Sequence, residues 1–305
     1  MTTRTAGIAS GWRWLWNAVN LGSGNPRAIF GGAALIAAVV FAVAIVLSIV
    51  LGLLAIEGGT AQLVASTLVS VPLLVLMAAL MAGYLRVIDA VESGRPASAT
   101  GVFSVFGDST VWMLAIGVLL ALALLQYLLI GGLVALLAPE AGRWYLDSLE
   151  ATAAAADPAA QMAAPAGFGR AMAIFLVVAV LVYAAQAISL GQVALRNRGV
   201  GEALRDGFAG ALRNALPLAL LLLISLAVMI VVIVVLAVVV LAGTALAAAG
   251  GTGLLMLLGI VIGVPLYLAF LVVMLVVSCG VMYFMWRDVC GDGDTGGGDD
   301  RQVAA

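Results

Sequence analysis

Histidine and lysine are both absent from this chain of 305 residues, and charge of either sign is scarce, at 9% of residues. Each absence removes a class of chemistry. Without histidine there can be no Ser-His-Asp triad, no Cys-His pair, no His-ligated metal and no haem with a His ligand. Two cysteines, Cys279 and Cys290, cannot build a four-thiolate zinc site within one chain. At i and i+11 of one helix their Cα atoms would stand about 16 Å apart, so they read as unpaired structural thiols. No catalytic constellation, no cofactor and no metal site is therefore expected. A net charge of −2 leaves no basic face to neutralise phosphates, which implies no nucleic-acid partner.

Hydrophobic residues fill the space instead, at 65% of the chain, with a mean hydropathy of +1.24. Soluble domains carry about 25% charged residues, far above this value. Six apolar runs, at about 28–56, 61–90, 111–138, 169–195, 215–248 and 252–286, have no ionisable residue in their interiors. Each exceeds the roughly 20 residues a helix needs to cross a hydrocarbon core. The expected fold is all-α: a polytopic bundle of six transmembrane helices over 28–286. It follows a surface-lying N-terminus over 1–27 and precedes a disordered acidic tail over 287–305. The first run begins near Ala28, is about twice the length of a secretory h-region and ends at Glu57-Gly58-Gly59 without a small-x-small cleavage pattern, so it is expected to stay in the mature protein.

Arginine placement orients the spans. Arg4, Arg13 and Arg27 precede the first, Arg86 and Arg95 follow the second, Arg196, Arg198, Arg205 and Arg213 join the fourth to the fifth, and Arg287 and Arg301 follow the sixth. That leaves only Arg143 and Arg170 for the other side. The positive-inside rule then puts both termini in the cytoplasm. The segments 57–60 and 249–251 become tight external turns, and 139–168 a longer acidic one in which 150–165 could hold a short surface helix followed by coil.

The cytoplasmic segments repeat a pattern. Trp12, Leu15, Trp16 and Val19 share one helical face, opposite Arg13, Asn17 and Asn20. Glu202, Arg205, Asp206, Ala209 and Arg213 form a polar stripe, opposite Leu204, Phe208, Leu212 and Ala215. Both read as helices lying in the membrane interface, with Trp12, Trp14, Trp16, Phe208 and Trp286 as candidate anchors at headgroup depth. Asn25-Pro26 and Asn214-Ala215-Leu216-Pro217 then start membrane helices. Ser98 to Ser109, with Val102, Phe103 and Phe106, is a weaker third example. Three units of a surface helix, a span out and a span back follow, near 11–90, 99–195 and 201–286.

Gly11-Trp12-Arg13-Trp14, Asn25-Pro26, Met81-Ala82-Gly83-Tyr84, the Phe208-to-Asn214 stretch and the closing Tyr283-Phe284-Met285-Trp286-Arg287-Asp288-Val289 together resemble a family of multi-pass inner-membrane proteins from proteobacteria. More distantly, the pattern is similar to the membrane domain fused to some glycerophosphodiester phosphodiesterases. The resemblance covers most of the chain through short, apolar motifs. It implies a six-helix inner-membrane protein and brings no established activity, because the phosphodiesterase's catalytic domain is not in this sequence.

Polar residues within the spans are few. Gln126, Tyr183, Gln186, Ser189 and Gln192 are the candidate intramembrane patch, with Tyr84 and Tyr127 as further polar members. They read first as hydrogen-bonding glue between helices, second as a patch facing a lipid or solute cavity. Pro72, Gly259, Gly263 and Pro265 are candidates for a hinge or for close helix packing, with packing the favoured use. Glu57 reads as a surface turn residue, with a lone cation or proton group as the other option. Arg86, Asp89, Glu92 and Arg95 read as local ion pairs at a helix end. The tail from Gly291 begins like a calcium loop but puts Val303 where the twelfth-position glutamate belongs.

The leading expectation is a non-enzymatic inner-membrane protein acting through assembly with membrane lipids, other membrane proteins or copies of itself. The alternative is a permease for lipids or amphiphilic solutes, which need no buried charge. A membrane enzyme working through interface groups such as Asp206 with Arg205 is the least favoured class.

Overall fold

A computed structural model of the protein describes residues 3–53, 59–153, 165–246 and 259–291. All of the described secondary structure is helical. In chain order it consists of α1 (Ser10–Asn20), α2 (Pro26–Leu53), α3 (Gly59–Glu92), a 3-10 segment (Ala99–Gly107), α4 (Ser109–Leu137), α5 (Pro139–Ala153), α6 (Phe168–Arg196), α7 (Val200–Arg213), α8 (Ala215–Leu246) and α9 (Val264–Cys290). Six of these, α2, α3, α4, α6, α8 and α9, are long and apolar enough to cross a membrane, and they coincide with the six apolar runs. The protein is a multi-pass membrane protein with an all-α bundle.

Local chemistry sets the helix starts. The Asn25 Oδ1 accepts the Ala28 N–H at 3.1 Å, and Pro26, which has no N–H to satisfy, occupies the first position of α2. Asp108 caps α4 in the same way, its Oδ1 accepting the Val111 N–H at 3.3 Å. Asn214 does something else. Its Oδ1 accepts the Ala6 N–H at 2.6 Å and its Nδ2 donates to the Arg4 carbonyl at 3.0 Å, so it ties the N-terminal segment down before α8.

One expectation changes. The external helix is α5, directly after Leu137, because Pro139 and Glu140 supply a helix start there; residues 154–164 lie outside the description. Gly259–Gly263 forms one π-helical turn before Pro265 in the first turn of α9. A Cβ at Gly263 would meet nothing within 4 Å among the described residues. Pro72 lies inside an uninterrupted α3, where the lost backbone bond is local. Glu57, both short external turns and the acidic tail beyond Gly291 lie outside or at the edge of the described residues.

The return spans α3, α6 and α9 touch one another at the centre, with α2 packed on α3 and α9, and α4 packed on α3 and α6. The surface elements follow a cyclic rule. The 3-10 segment lies on α2 and α3, α7 lies on α4 and α6, and α1 lies on α8 and α9. Each therefore covers the pair of spans before it, and the first covers the last pair. Only α8 departs from this order: among the described residues it packs on α1, barely meets α6, and is not paired along α9.

Among the described residues, full burial within the spans is concentrated toward one end, while α5 packs on α3, α4 and α6 at the other. Buried residues begin at Ala78 in α3, Val178 in α6 and Val276 in α9, and end at Ile36 in α2, Leu122 in α4 and Leu221 in α8. These are the halves nearest the arginine-bearing end, where the surface elements also lie. Glycines show the same division. A Cβ at Gly83 would overlap the Val102 carbonyl, at Gly191 the Trp286 ring, and at Gly280 it would stand 2.9 Å from the Ala18 Cβ. At Gly52, Gly131, Gly132 and Gly243 it would meet nothing within 4 Å.

Candidate functional site

The arginine-bearing end of the bundle gathers most of the polar side chains into one layer between α1, α3, α6, α7 and α9. It is built from span ends that carry one or two polar residues each and from surface elements that run across them.

On α6 the polar patch is resolved into separate interhelical bonds. Tyr183 donates its hydroxyl to the Ser278 carbonyl on α9 at 2.9 Å, and Ser189 donates to the Ala203 carbonyl on α7 at 2.9 Å. Gln192, fully buried, donates from Nε2 to the Asp206 carboxylate at 3.0 Å. The Gln186 Nε2 lies 4.0 Å from the Met81 sulfur of α3. Bonds of this kind between membrane helices contribute about 0.6 kcal/mol each on average. Gln126, half-buried, lies on α4 and not on α6 with these four residues.

Asp206 changes place relative to the sequence reading. It sits in the buried face of α7 with Ala203, Gly207, Gly210 and Ala211, and not on an exposed polar stripe. The reason is the small-residue face: α7 packs on α6 closely enough that a Cβ at Gly207 would approach the Ala185 carbonyl at 2.6 Å. Two large residues opposite would have held Asp206 away. In the same way the 3-10 segment buries Val102 and Val105 and leaves Phe106 exposed.

The tryptophans divide. Trp12 and Trp16 are exposed at 49% and 55%, and their rings stack with centroids 5.8 Å apart. Trp14, at 1% exposure, is a core residue whose indole N–H donates to Asp288 on α9 at 2.8 Å. Trp286 is buried against Gly191, with the Arg196 guanidinium 5.9 Å from its ring centre. Trp14 and Trp286 therefore do not reach the headgroup layer as anchors, because close packing of α1 and α6 on α9 encloses them. Phe208 is half-buried on α7 and packs against the core.

Ion pairs complete the layer. Arg86 of α3 donates through Nε to the Ala194 carbonyl of α6 at 2.9 Å and through Nη2 to Asp108 at 3.0 Å. Arg287 pairs with Glu92 at 3.2 Å, Asp89 pairs with Arg95, and the Tyr283 hydroxyl donates to Asp89 at 3.1 Å. Arg4 and Arg213 hold the N-terminal segment over the ends of α7 and α9, through Gly291 and Thr3. The sequence reading kept Arg86 and Asp89 in local pairs; the structure gives both a partner on another element. Asp108, directly ahead of Ser109 and Thr110, is the capping pattern that could have pointed there.

Asp108 is held below the usual carboxylate range, chiefly by the hydrogen bond from Arg86 and next by the Val111 N–H. A depressed folded value means that the linkage stabilises the protein above the unfolded pKa, near 3.9, and is lost as pH falls through the folded value. Asp108→Asn should remove this acid-dependent contribution while keeping a cap. Its unfolding midpoint in mild detergent should change less than the wild type's between pH 5 and pH 3, and an unchanged pH profile would contradict the assignment.

Both cysteines are free and buried. Among the described residues no group of three His, Cys, Asp or Glu side chains could hold a metal ion. What the layer can do chemically is hold six spans and three surface elements in fixed register at one face of the membrane. No family model, curated protein or solved structure matches this chain.

Proposed function

We propose that this membrane protein is a non-enzymatic component of a bacterial inner membrane, with both termini in the cytoplasm, that acts by assembling with lipids or neighbouring membrane proteins. The observation that carries the reading is the one-ended packing. Among the described residues the fully buried positions of every span cluster toward its arginine-bearing end, and beyond them, apart from where α5 packs on α3, α4 and α6, the spans present exposed apolar surface. Large uncovered apolar surface marks interaction sites in proteins generally, and in a bilayer its partners are acyl chains or other helices. The arginine asymmetry supports the orientation. The stacked Trp12–Trp16 pair supports a grip on the leaflet surface on that side. The resemblance read from the short sequence motifs, to multi-pass inner-membrane proteins of proteobacteria, points to the same location.

A permease for lipids or amphiphilic solutes is the second reading, favoured by the same open halves, which give an apolar molecule a place to enter without meeting charge. Extraction of the full chain in native-lipid discs, followed by native mass spectrometry, tests the first reading. The wild type should carry lipid or a protein partner in fixed ratio, and Trp12→Ala/Trp16→Ala should reduce that ratio. A bare monomer from both would overturn it, and transbilayer movement of a labelled lipid by purified protein would favour the permease.

A further inference from the structure

We propose that α3, α6 and α9 enclose a site for a neutral lipid alcohol, with the Gln186 amide at its floor. The ligand class is an apolar chain that ends in a hydroxyl group. The site goes beyond the assembly reading, and either can fail without the other.

Gln186 is a polar side chain that the bundle leaves without an adequate partner. Its Nε2 reaches only the Met81 sulfur of α3, at 4.0 Å, and a thioether is a weak acceptor. Among the described residues nothing else bonds this amide, whereas Tyr183, Ser189 and Gln192 of the same helix each donate to an oxygen. Gln186 lies about 15 Å along the axis from Arg196, well inside the span. A polar group held there without a partner is strongly disfavoured, because hydrocarbon offers no water to replace it. The residue is half-buried, while Val182, Ala185, Ser189 and Leu190 around it on α6 are all buried. Its accessible part therefore faces a space between helices and not the surrounding lipid.

Three helix faces border that space. The return spans touch one another, and toward their arginine-bearing ends Met81 of α3 and Cys279 of α9 are buried. Cys279 is close enough to Tyr84 of α3 and Tyr183 of α6 to act on both electrostatically. One and two turns further from the arginines, each face is only partly buried. On α3 these positions are Met77 and Leu74, at −4 and −7 from Met81. On α6 they are Tyr183 and Ala179, at −3 and −7 from Gln186, and on α9 Leu275 and Val272, at −4 and −7 from Cys279. Faces that are turned to one another and still partly exposed mean that the three helices part above Gln186.

The chemistry of the walls selects the occupant. Apart from the Tyr183 hydroxyl, which donates to the Ser278 carbonyl at 2.9 Å, the wall side chains are apolar. No charged residue lies from Val69 to Leu85, from Ala171 to Leu195 or from Val264 to Trp286. A phosphate or carboxylate at this floor would be buried without a counter-charge, which excludes phospholipid headgroups and fatty acids. Water would satisfy the amide but would also have to fill the apolar space above it, and apolar cavities stay dry. A long-chain alcohol meets both demands. Its hydroxyl accepts from the Gln186 Nε2 or donates to Oε1, and its chain lies against the flexible side chains of Met77, Leu74 and Leu275.

The test uses the full chain in nanodiscs of phosphatidylethanolamine and phosphatidylglycerol. It is irradiated with octadecanol that carries a diazirine, and the labelled peptides are mapped by mass spectrometry. Labelling of α3, α6 and α9 should saturate, and oleyl alcohol should compete where oleate does not. Gln186→Leu should lower it about tenfold, the order expected of one buried hydrogen bond. Ala179→Phe should lower it by filling the space; should that variant not stay monodisperse, Leu74→Trp narrows the space from α3. Without added alcohol, Gln186→Leu should unfold no earlier than the wild type, because it removes an amide that has no good partner. Oleyl alcohol should raise the unfolding midpoint of the wild type and not that of Gln186→Leu. Val46→Trp, on the exposed face of α2, should match the wild type throughout. A lowered midpoint in Gln186→Leu with labelling unchanged would make the amide interhelical glue and overturn the site. Labelling spread evenly onto α2, with no response to Gln186→Leu, is the pattern of surrounding lipid; it would also overturn the site and leave the assembly reading in place. Wild-type protein that takes no label would overturn it as well.

Discussion

Alanine at Gly83 should destabilise the bundle by about 3 kcal/mol, while the same substitution at Gly132 should stabilise it by up to about 1 kcal/mol. The two glycines sit in spans, and helix propensity favours alanine at both. What separates them is the neighbour. At Gly83 the added methyl would occupy the space of the Val102 carbonyl, a backbone atom of the 3-10 segment that cannot rotate aside. To accept it, the segment must lift from α3, which uncovers Val102 and Val105 and disturbs Gly32, whose Cβ position lies 3.1 Å from both Tyr84 and Val102 side-chain atoms. Tyr84, fully buried and donating to the Ile29 carbonyl at 3.0 Å, is next in line. At Gly132 there is open space, so only the gain in helix preference remains. Denaturant titration in mixed micelles would show the contrast. Equal effects at the two positions would mean that the 3-10 segment does not dock on α3 as described.

The difference between these glycines marks how far the sequence could be read. The six spans were legible because hydrophobic length is a property of composition, and a bilayer demands about 20 apolar residues whatever the tertiary packing. The start of α2 was legible in Asn25-Pro26, whereas the Asp108 cap of α4 emerged only in the structure. The three-part order of surface element, span and return span was visible as a rhythm of amphipathic stretches. Which face each surface element buries was not. In α1 the apolar periodicity picks out Trp12, Leu15, Trp16 and Val19, yet the packed face is Gly11, Trp14 and Ala18. A helix at a membrane surface can have two apolar faces, one for protein and one for lipid, and hydropathy does not rank them. Small residues decided the matter in α1 and again in α7, where Gly207 and Gly210 draw Asp206 inward. For the polar patch, spacing on α6 grouped Tyr183, Gln186 and Ser189 correctly on one helix, but the partners, Ser278, Met81 and Ala203, belong to three other elements that no local pattern connects.

Trp14→Ala should cost about 3–5 kcal/mol, whereas Trp12→Ala and Trp16→Ala should each alter stability by less than about 1 kcal/mol. Three tryptophans within five residues would be equivalent if α1 simply lay on the membrane. They are not equivalent, because α1 is also the clamp that joins α8 to α9. Trp14 is enclosed at 1% exposure, and its N–H satisfies Asp288 at 2.8 Å. Its loss leaves a cavity between α1 and α9 together with a carboxylate whose remaining partner is the more distant Arg13 at 3.9 Å. Trp14→Phe separates the two parts, retaining most of the volume and losing the hydrogen bond, and should cost roughly 1–2 kcal/mol. Trp12 and Trp16 stack on each other outside the core, so their removal should leave the unfolding midpoint nearly unchanged and alter lipid retention instead. If Trp14→Ala weakened lipid retention but left stability intact, α1 would be a membrane anchor and not a clamp. The opposite pattern, stability lost at Trp14 and retention lost at Trp12 and Trp16, assigns the two faces of one short helix to the two tasks.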